Sequence, residues 1–298
     1  MRRFCPPFHD DTEGVATTCR LQAGAGERAL PARRQWLLAQ LAGAGGAALS
    51  GAPAWAQRHP PPRADSPHVG VDPLFITTGL TSRWQQAMGR DLGWQARWTP
   101  MDTGEVLRQL ESGELHAGLF LSHPRADELD RQGLIHSRQT IATTDVLLVG
   151  PTDDQAGIRG ERDAGRVLNQ VLLAAQAGAA GWAPPPPGSA LAELLAQITQ
   201  GKGVDPRALR PSERAPARGV GYALVPRVQW SAKDRRKVWL QGDARLVLAA
   251  QVACSFRSRH PGAKLLVNWL GWPLAQSAFR AAGSGWAPLP GPAKPATR

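Results

Sequence analysis

From about residue 68 to residue 151, short apolar runs alternate with amphipathic stretches of helical period, with only short links between them. That alternation restricts the fold more than any other feature. Candidate strands end at Phe75-Ile76, cover residues 94–98, and include Ala117-Gly118-Leu119-Phe120-Leu121 and Val146-Leu147-Leu148-Val149. Between them lie candidate helices at 81–89, 103–112 and 124–132, the second with Val106, Leu107 and Leu110 on one face. Strands joined through helices predict a parallel sheet with helices on both faces, and in such sheets ligands sit beyond the carboxyl ends of the strands.

After Pro151 the character changes. Helical stretches at 166–176 and 189–200 flank the breaker Pro184-Pro185-Pro186-Pro187-Gly188, and Tyr222-Ala223-Leu224-Val225 and Val238-Trp239-Leu240 supply further strands. The run 246–256 is long enough to cross back to the first unit, and Leu265, Leu266, Trp269, Leu270, Leu274 and Ala278 mark terminal amphipathic helices. The expected organisation is an α/β chain of two lobes enclosing a cleft. One lobe takes residues 68–150 and a return segment 246–292, the other takes 151–245, and 293–298 form a tail.

The first 56 residues read differently. Arg33-Arg34-Gln35-Trp36-Leu37-Leu38 precedes an Ala/Gly-rich stretch to Ser50, then Ala54-Trp55-Ala56. A twin arginine, a weakly apolar run and a small-residue cleavage site together make a twin-arginine export signal cut after Ala56. Read as a buried helix, the stretch would carry Gly43, Gly45, Gly46 and Gly51, each costing about 1 kcal/mol. Residues 57–67, with His59-Pro60-Pro61-Pro62-Arg63, form a flexible lead-in.

With 298 residues the chain can bury a real core. Its 35 Lys and Arg against 24 Asp and Glu leave a net charge of +11, which would suit a polyanion if it were concentrated. The basic residues are scattered, with only Lys233-Asp234-Arg235-Arg236-Lys237 as a short cluster, so no nucleic-acid partner is expected. Of three cysteines, Cys254 alone lies beyond the export segment and suits a buried apolar position. The chain carries no H-E-x-x-H, G-x-S-x-G or C-x-x-C, and the expectation is a non-enzyme with no cofactor and no metal.

An ordered series of short segments carries a family likeness. It runs from Ile76-Thr77-Thr78-Gly79-Leu80-Thr81 through Asp102-Thr103-Gly104-Glu105-Val106-Leu107, Gly118-Leu119-Phe120-Leu121-Ser122-His123-Pro124 and Thr144-Asp145-Val146-Leu147-Leu148-Val149-Gly150-Pro151. It continues with Gly157-Ile158-Arg159-Gly160, Gly203-Val204-Asp205-Pro206, Tyr222-Ala223-Leu224-Val225-Pro226-Arg227, Gly242-Asp243-Ala244-Arg245-Leu246 and Arg259-His260-Pro261-Gly262. Over about residues 68–290 the set resembles the periplasmic solute-binding proteins of tungstate and molybdate ABC transporters, the TupA-type branch of the type 2 periplasmic-binding fold. The resemblance implies a monomeric periplasmic receptor that binds a small oxyanion or another small anion between its lobes and delivers it to an ABC permease. A divergent member with a sensory or lost binding role is the alternative.

A tetrahedral dianion needs many aimed N–H and O–H donors, and hydroxyl-rich turns at helix starts supply them. Thr77, Thr78, Gly79, Thr81, Thr103 and Ser189 are the expected ligand-binding residues, with Arg83 and Arg227 as charge partners. The family's first loop reads T-T-T-S, which Thr77 and Thr78 match and Gly79 and Leu80 do not. The family's second-lobe S-R-G-D-x-S-G-T-H corresponds to residues 182–190. There the arginine is missing and only Gly188 and Ser189 persist. Loss of that arginine removes a contact worth about 1.5 to 3 kcal/mol.

Overall fold

The computed structural model describes residues 65–200, 221–231, 233–283 and 285–289, all within a compact unit His59–Arg298. The export segment 1–56, the first part of the lead-in, Gly203-Val204-Asp205-Pro206 and the tail lie outside the described residues. The elements in chain order are β1 (His68–Val71), α1 (Pro73–Thr77), α2 (Leu80–Asp91), β2 (Arg97–Pro100), α3 (Thr103–Ser112), β3 (Ala117–Leu121), α4 (Pro124–Arg131) and β4 (Ile135–Gly150). There follow α5 (Ala164–Gln176), α6 (Ala190–Thr199), β5 (Ala223–Pro226), β6 (Lys237–Leu240), β7 (Val247–Ser255), α7 (Pro261–Leu270), α8 (Pro273–Ala281) and β8 (Trp286–Pro288). No described helix is long and apolar enough to cross a membrane.

The first strand is not where its apolar run suggested. It ends at Val71, and Phe75-Ile76 lies in α1. Asp72 and Pro73 decide this. Asp72 is extended and its carboxylate accepts the Leu74 amide at 3.0 Å, while Pro73 fixes the first helical φ where no amide donor is needed. The result is a single turn of helix that buries Leu74 and Phe75.

The sheet is mixed rather than wholly parallel. β1 pairs in parallel with β2 and β3, whereas β7 runs antiparallel to β3, and β4 antiparallel to β7. β4 has 16 residues, far longer than the apolar run 146–149, because its polar first part pairs with β7 and β8 while its apolar end pairs with β5 and β6. This strand links the two strand groups of a two-lobed α/β fold.

Two close approaches set the position of α3. Gly70 and Gly118 stand side by side in the β1–β3 ladder. A Cβ on Gly118 would meet Val106 at 2.5 Å and Leu110 at 2.8 Å, and one on Gly70 would meet Leu115 at 2.5 Å. The bare backbone at these two positions lets the helix lie directly on the sheet, which fixes where its amino end emerges. On the other side of the sheet Phe75, Trp84, Phe279 and Trp286 form an aromatic cluster joining α1, α2, α8 and β8.

A histidine cluster lies at the amino end of β1. His116 Nδ1 accepts the His68 amide at 2.7 Å, and the His116 and His260 rings stand 4.7 Å apart. Burial, followed by the neighbouring His260 and His68, holds His116 below the ordinary imidazole value of 6.5. The unfolded chain therefore takes up this proton first as pH falls. The His116 contribution is whole above pH 6.5 and is lost as pH falls from there towards the folded value. Burial also lowers His123, whose Nδ1 caps α4 by accepting the Arg125 amide at 3.0 Å, so the sign is the same there. The melting temperature is expected to drop between about pH 7.5 and about pH 5.5. His116→Asn, which keeps an acceptor for the His68 amide, should flatten part of that drop; an unchanged profile in the variant would remove His116 as its source.

Candidate functional site

The parallel strands deliver their carboxyl ends to one place. Just beyond β1 stands Asp72, the N-cap of α1, and just beyond β2 stands Asp102, the N-cap of α3. Thr103, fully buried, ties the strand ends together: its hydroxyl donates to Asp72 Oδ2 at 2.7 Å and accepts the Leu121 amide at 3.1 Å. Beyond these strand ends a cleft of about 180 Å³ opens. Asp72, Asp102 and Leu121 line one side; Pro186, Ser189, Pro226 and Gln229 line the other.

Asp72 is only 7% exposed. Burial pushes its carboxyl above the ordinary carboxylate range and the charge of Asp102 adds to the shift, against the pull of the Leu74 amide and the Thr103 hydroxyl and amide. Both carboxylate oxygens already accept hydrogen bonds, so the group serves as an acceptor braced from below. Across the cleft Ser189 is the N-cap of α6. Its hydroxyl donates to the Pro186 carbonyl at 2.6 Å and accepts the Ala192 amide at 3.2 Å.

The expected site residues divide. Ser189 lines the cleft and Thr103 lies beneath it, but Thr77, Thr78, Gly79, Thr81 and Arg83 do not line it. Thr77 and Thr78 sit at the carboxyl end of α1, where both hydroxyls donate back to the Leu74 carbonyl at 3.2 Å and 2.7 Å. Gly79, at a φ of 72°, makes the left-handed corner into α2, and Thr81 is buried in the first turn of α2. Arg83 donates to the Thr78 and Gly79 carbonyls at 3.2 Å and 3.1 Å. These bonds close the end of α1. Arg227 follows the cleft-lining Pro226, yet its guanidinium is held by Asp145 at 3.2 Å and Gln241 at 2.9 Å.

The difference in position has one cause. Because β1 ends at Val71 and α1 starts straight after Asp72, Thr77 and Thr78 fall at the far end of α1, a helical turn away from the strand end. Sequence reasoning missed Asp72 and Asp102, although each directly precedes a helix start, Asp72 before Pro73 and Asp102 before Thr103-Gly104. Among the described residues no three His, Cys, Asp or Glu side chains form a metal-holding group.

No sequence-family model and no curated protein matches the chain. Solved structures do. The tungstate-binding protein TupA from Desulfovibrio alaskensis G20 is 19% identical with a TM-score of 0.59, over 75% of this chain and 98% of that one. A periplasmic protein is 20% identical with a TM-score of 0.61, over 76% and 96% of the two chains. The tungstate ABC transporter structure from Geobacter sulfurreducens is 17% identical with a TM-score of 0.57, over 72% and 98%. Similarity at this level of identity is similarity of fold, and fold alone does not carry a ligand across. The chain has the two-lobed fold of periplasmic binding proteins.

Proposed function

We propose that this chain is a periplasmic solute-binding protein, the receptor of an ABC importer, that takes a small neutral or cationic solute rich in hydrogen-bond donors. The two-lobed fold and a cleft lined from both strand groups support the binding role. One observation carries the ligand class: a buried carboxylate, Asp72, stands at the end of the first strand and lines the cleft. Asp102 adds a second acidic side chain, and at about 6 Å in an effective dielectric of 20 each like-charge pair costs about 3 kcal/mol.

A second reading keeps the oxyanion. It is favoured by the start of α3 and the capped start of α6 meeting at the cleft, since helix amino ends attract anions, and by the tungstate-binding proteins that share the fold.

A thermal-shift screen on the full chain separates the two. A solute held at about a hundred times its Kd stabilises by about 2.7 kcal/mol, a shift of several degrees. Small amines, amino acids and guanidinium compounds are expected to raise the melting temperature, and tungstate, molybdate, sulfate and phosphate to leave it unchanged. Asp102→Asn, at an exposed position, should leave basal stability within about 0.5 kcal/mol while weakening the shift. Asp72→Asn should cost about 1 to 3 kcal/mol, because an amide nitrogen would then face a donor. A rise with tungstate or molybdate alone establishes the second reading, and no rise across the whole panel removes solute binding.

A further inference from the structure

One contact runs directly across the cleft. The Gly104 amide, in the first turn of α3, donates to the Gly188 carbonyl at 3.1 Å. A Cβ on Gly104 would stand 2.8 Å from that same oxygen, so the approach is as close as a bare backbone allows. Gly188 has a φ of 75° and ends the four-proline run, whose residues supply carbonyls but no amide donors. The loop is fastened on its far side by Ser189, whose amide and hydroxyl both donate to the Pro186 carbonyl, at 3.2 Å and 2.6 Å. The first amides of a helix have no partner within it and carry the positive end of its dipole. Here the protein supplies one such amide with an acceptor of its own.

We infer that residues 184–188 form a built-in latch, in which the Gly188 carbonyl takes the α3 amide and holds the two lobes together across the cleft. The inference concerns the regulation of the cleft assigned above and rests on that cleft being the binding site. Its geometry follows from three residues: Gly104 removes the steric bar, Gly188 turns the chain, and Ser189 pins the loop as α6 starts. A solute entering the cleft has to open this bond or bind beside it.

The test needs no solute, so its outcome is independent of the screen. Spin labels at cysteines replacing exposed Ser112 on α3 and Gln197 on α6, with Cys5 and Cys19 changed to serine, report the distance between lobes in the full chain. The parent is expected to give one short distance. Gly104→Ala should lengthen or broaden it by more than about 2 Å, the scale of a genuine rearrangement. Alanine favours helix over glycine, so α3 itself is not weakened by the change. Pro186→Gly, which loosens the loop from the other side, should act in the same direction, and circular dichroism checks that both variants are folded. A solute-free parent already at the long distance, or both folded variants keeping the parent's distance, overturns the latch.

Discussion

Replacing Trp84 by alanine is expected to remove about 3 to 5 kcal/mol of stability, the usual loss for a large aromatic deleted from a core. Trp84 is fully buried, with its ring centroid 5.4 Å from that of Phe279 in an edge-on arrangement and 6.2 Å from that of Phe75. Its indole N–H donates to the Ala275 carbonyl at 3.0 Å, so truncation opens a cavity and also loses a buried hydrogen bond. The cluster matters beyond its area because α2 comes early in this lobe and α8 comes late. Phe75 and Phe279 also contact Trp286, at 5.7 Å and 5.5 Å, so losing Trp84 loosens the seam that holds the returning end of the chain. Urea unfolding of the full chain measures this as a lower midpoint at unchanged slope. Trp84→Phe, which restores most of the volume but not the donor, should recover about half the loss. A Trp84→Ala variant within about 1 kcal/mol of the parent would contradict the packing described.

The same sequence rules succeed at some elements and fail at others for identifiable reasons. The residues read as helix 103–112 and strand 117–121 are those of α3 and β3, because Asp102 precedes a clean helical period and Gly113 ends it in the left-handed conformation. β1 was misplaced because a short apolar run such as Phe75-Ile76 has no period that separates a strand from one buried turn of helix. The Asp72-Pro73 pair held the deciding information. The polar first part of β4 hid its strand character because it is only half-buried and its partners, β7 and β8, come more than a hundred residues later.

The candidate site moves with the strand end. Looking for a ligand beyond the carboxyl ends of the strands selects the Thr77 and Thr78 hydroxyls if the strand ends at Ile76. Applied to a strand ending at Val71 it selects Asp72, a buried carboxylate in place of neutral hydroxyls. The Gly104–Gly188 bond was not legible at all, because nothing local to either glycine encodes the other. The ordered motifs nevertheless carried the fold, although a solved structure of that fold is only 19% identical.

Gly118→Val is the second large loss expected, at about 3 kcal/mol, the upper range for forcing methyl groups into a packed core. Gly118 lies in β3, hydrogen-bonded between β1 and β7, so the strand cannot retreat. A Cβ there meets Val106 at 2.5 Å and Leu110 at 2.8 Å, and both are fully buried on the inner face of α3. The helix has to lift, and lifting it moves Asp102, Thr103 and Gly104 together at its amino end. The substitution should therefore do more than lower the unfolding midpoint. Under conditions where the variant is still folded, exchange of the Gly104 amide with deuterium should speed up as its contact with Gly188 lengthens, while amides in α7, which packs on β3, β4 and β7, keep their protection relative to global stability. Val106→Ala in the Gly118→Val background makes room where the overlap is worst and is expected to return part of the lost stability. A double variant no more stable than the single one would mean that α3 does not rest on this glycine, and the cleft would then owe its geometry to something other than the bare backbone at Gly70 and Gly118.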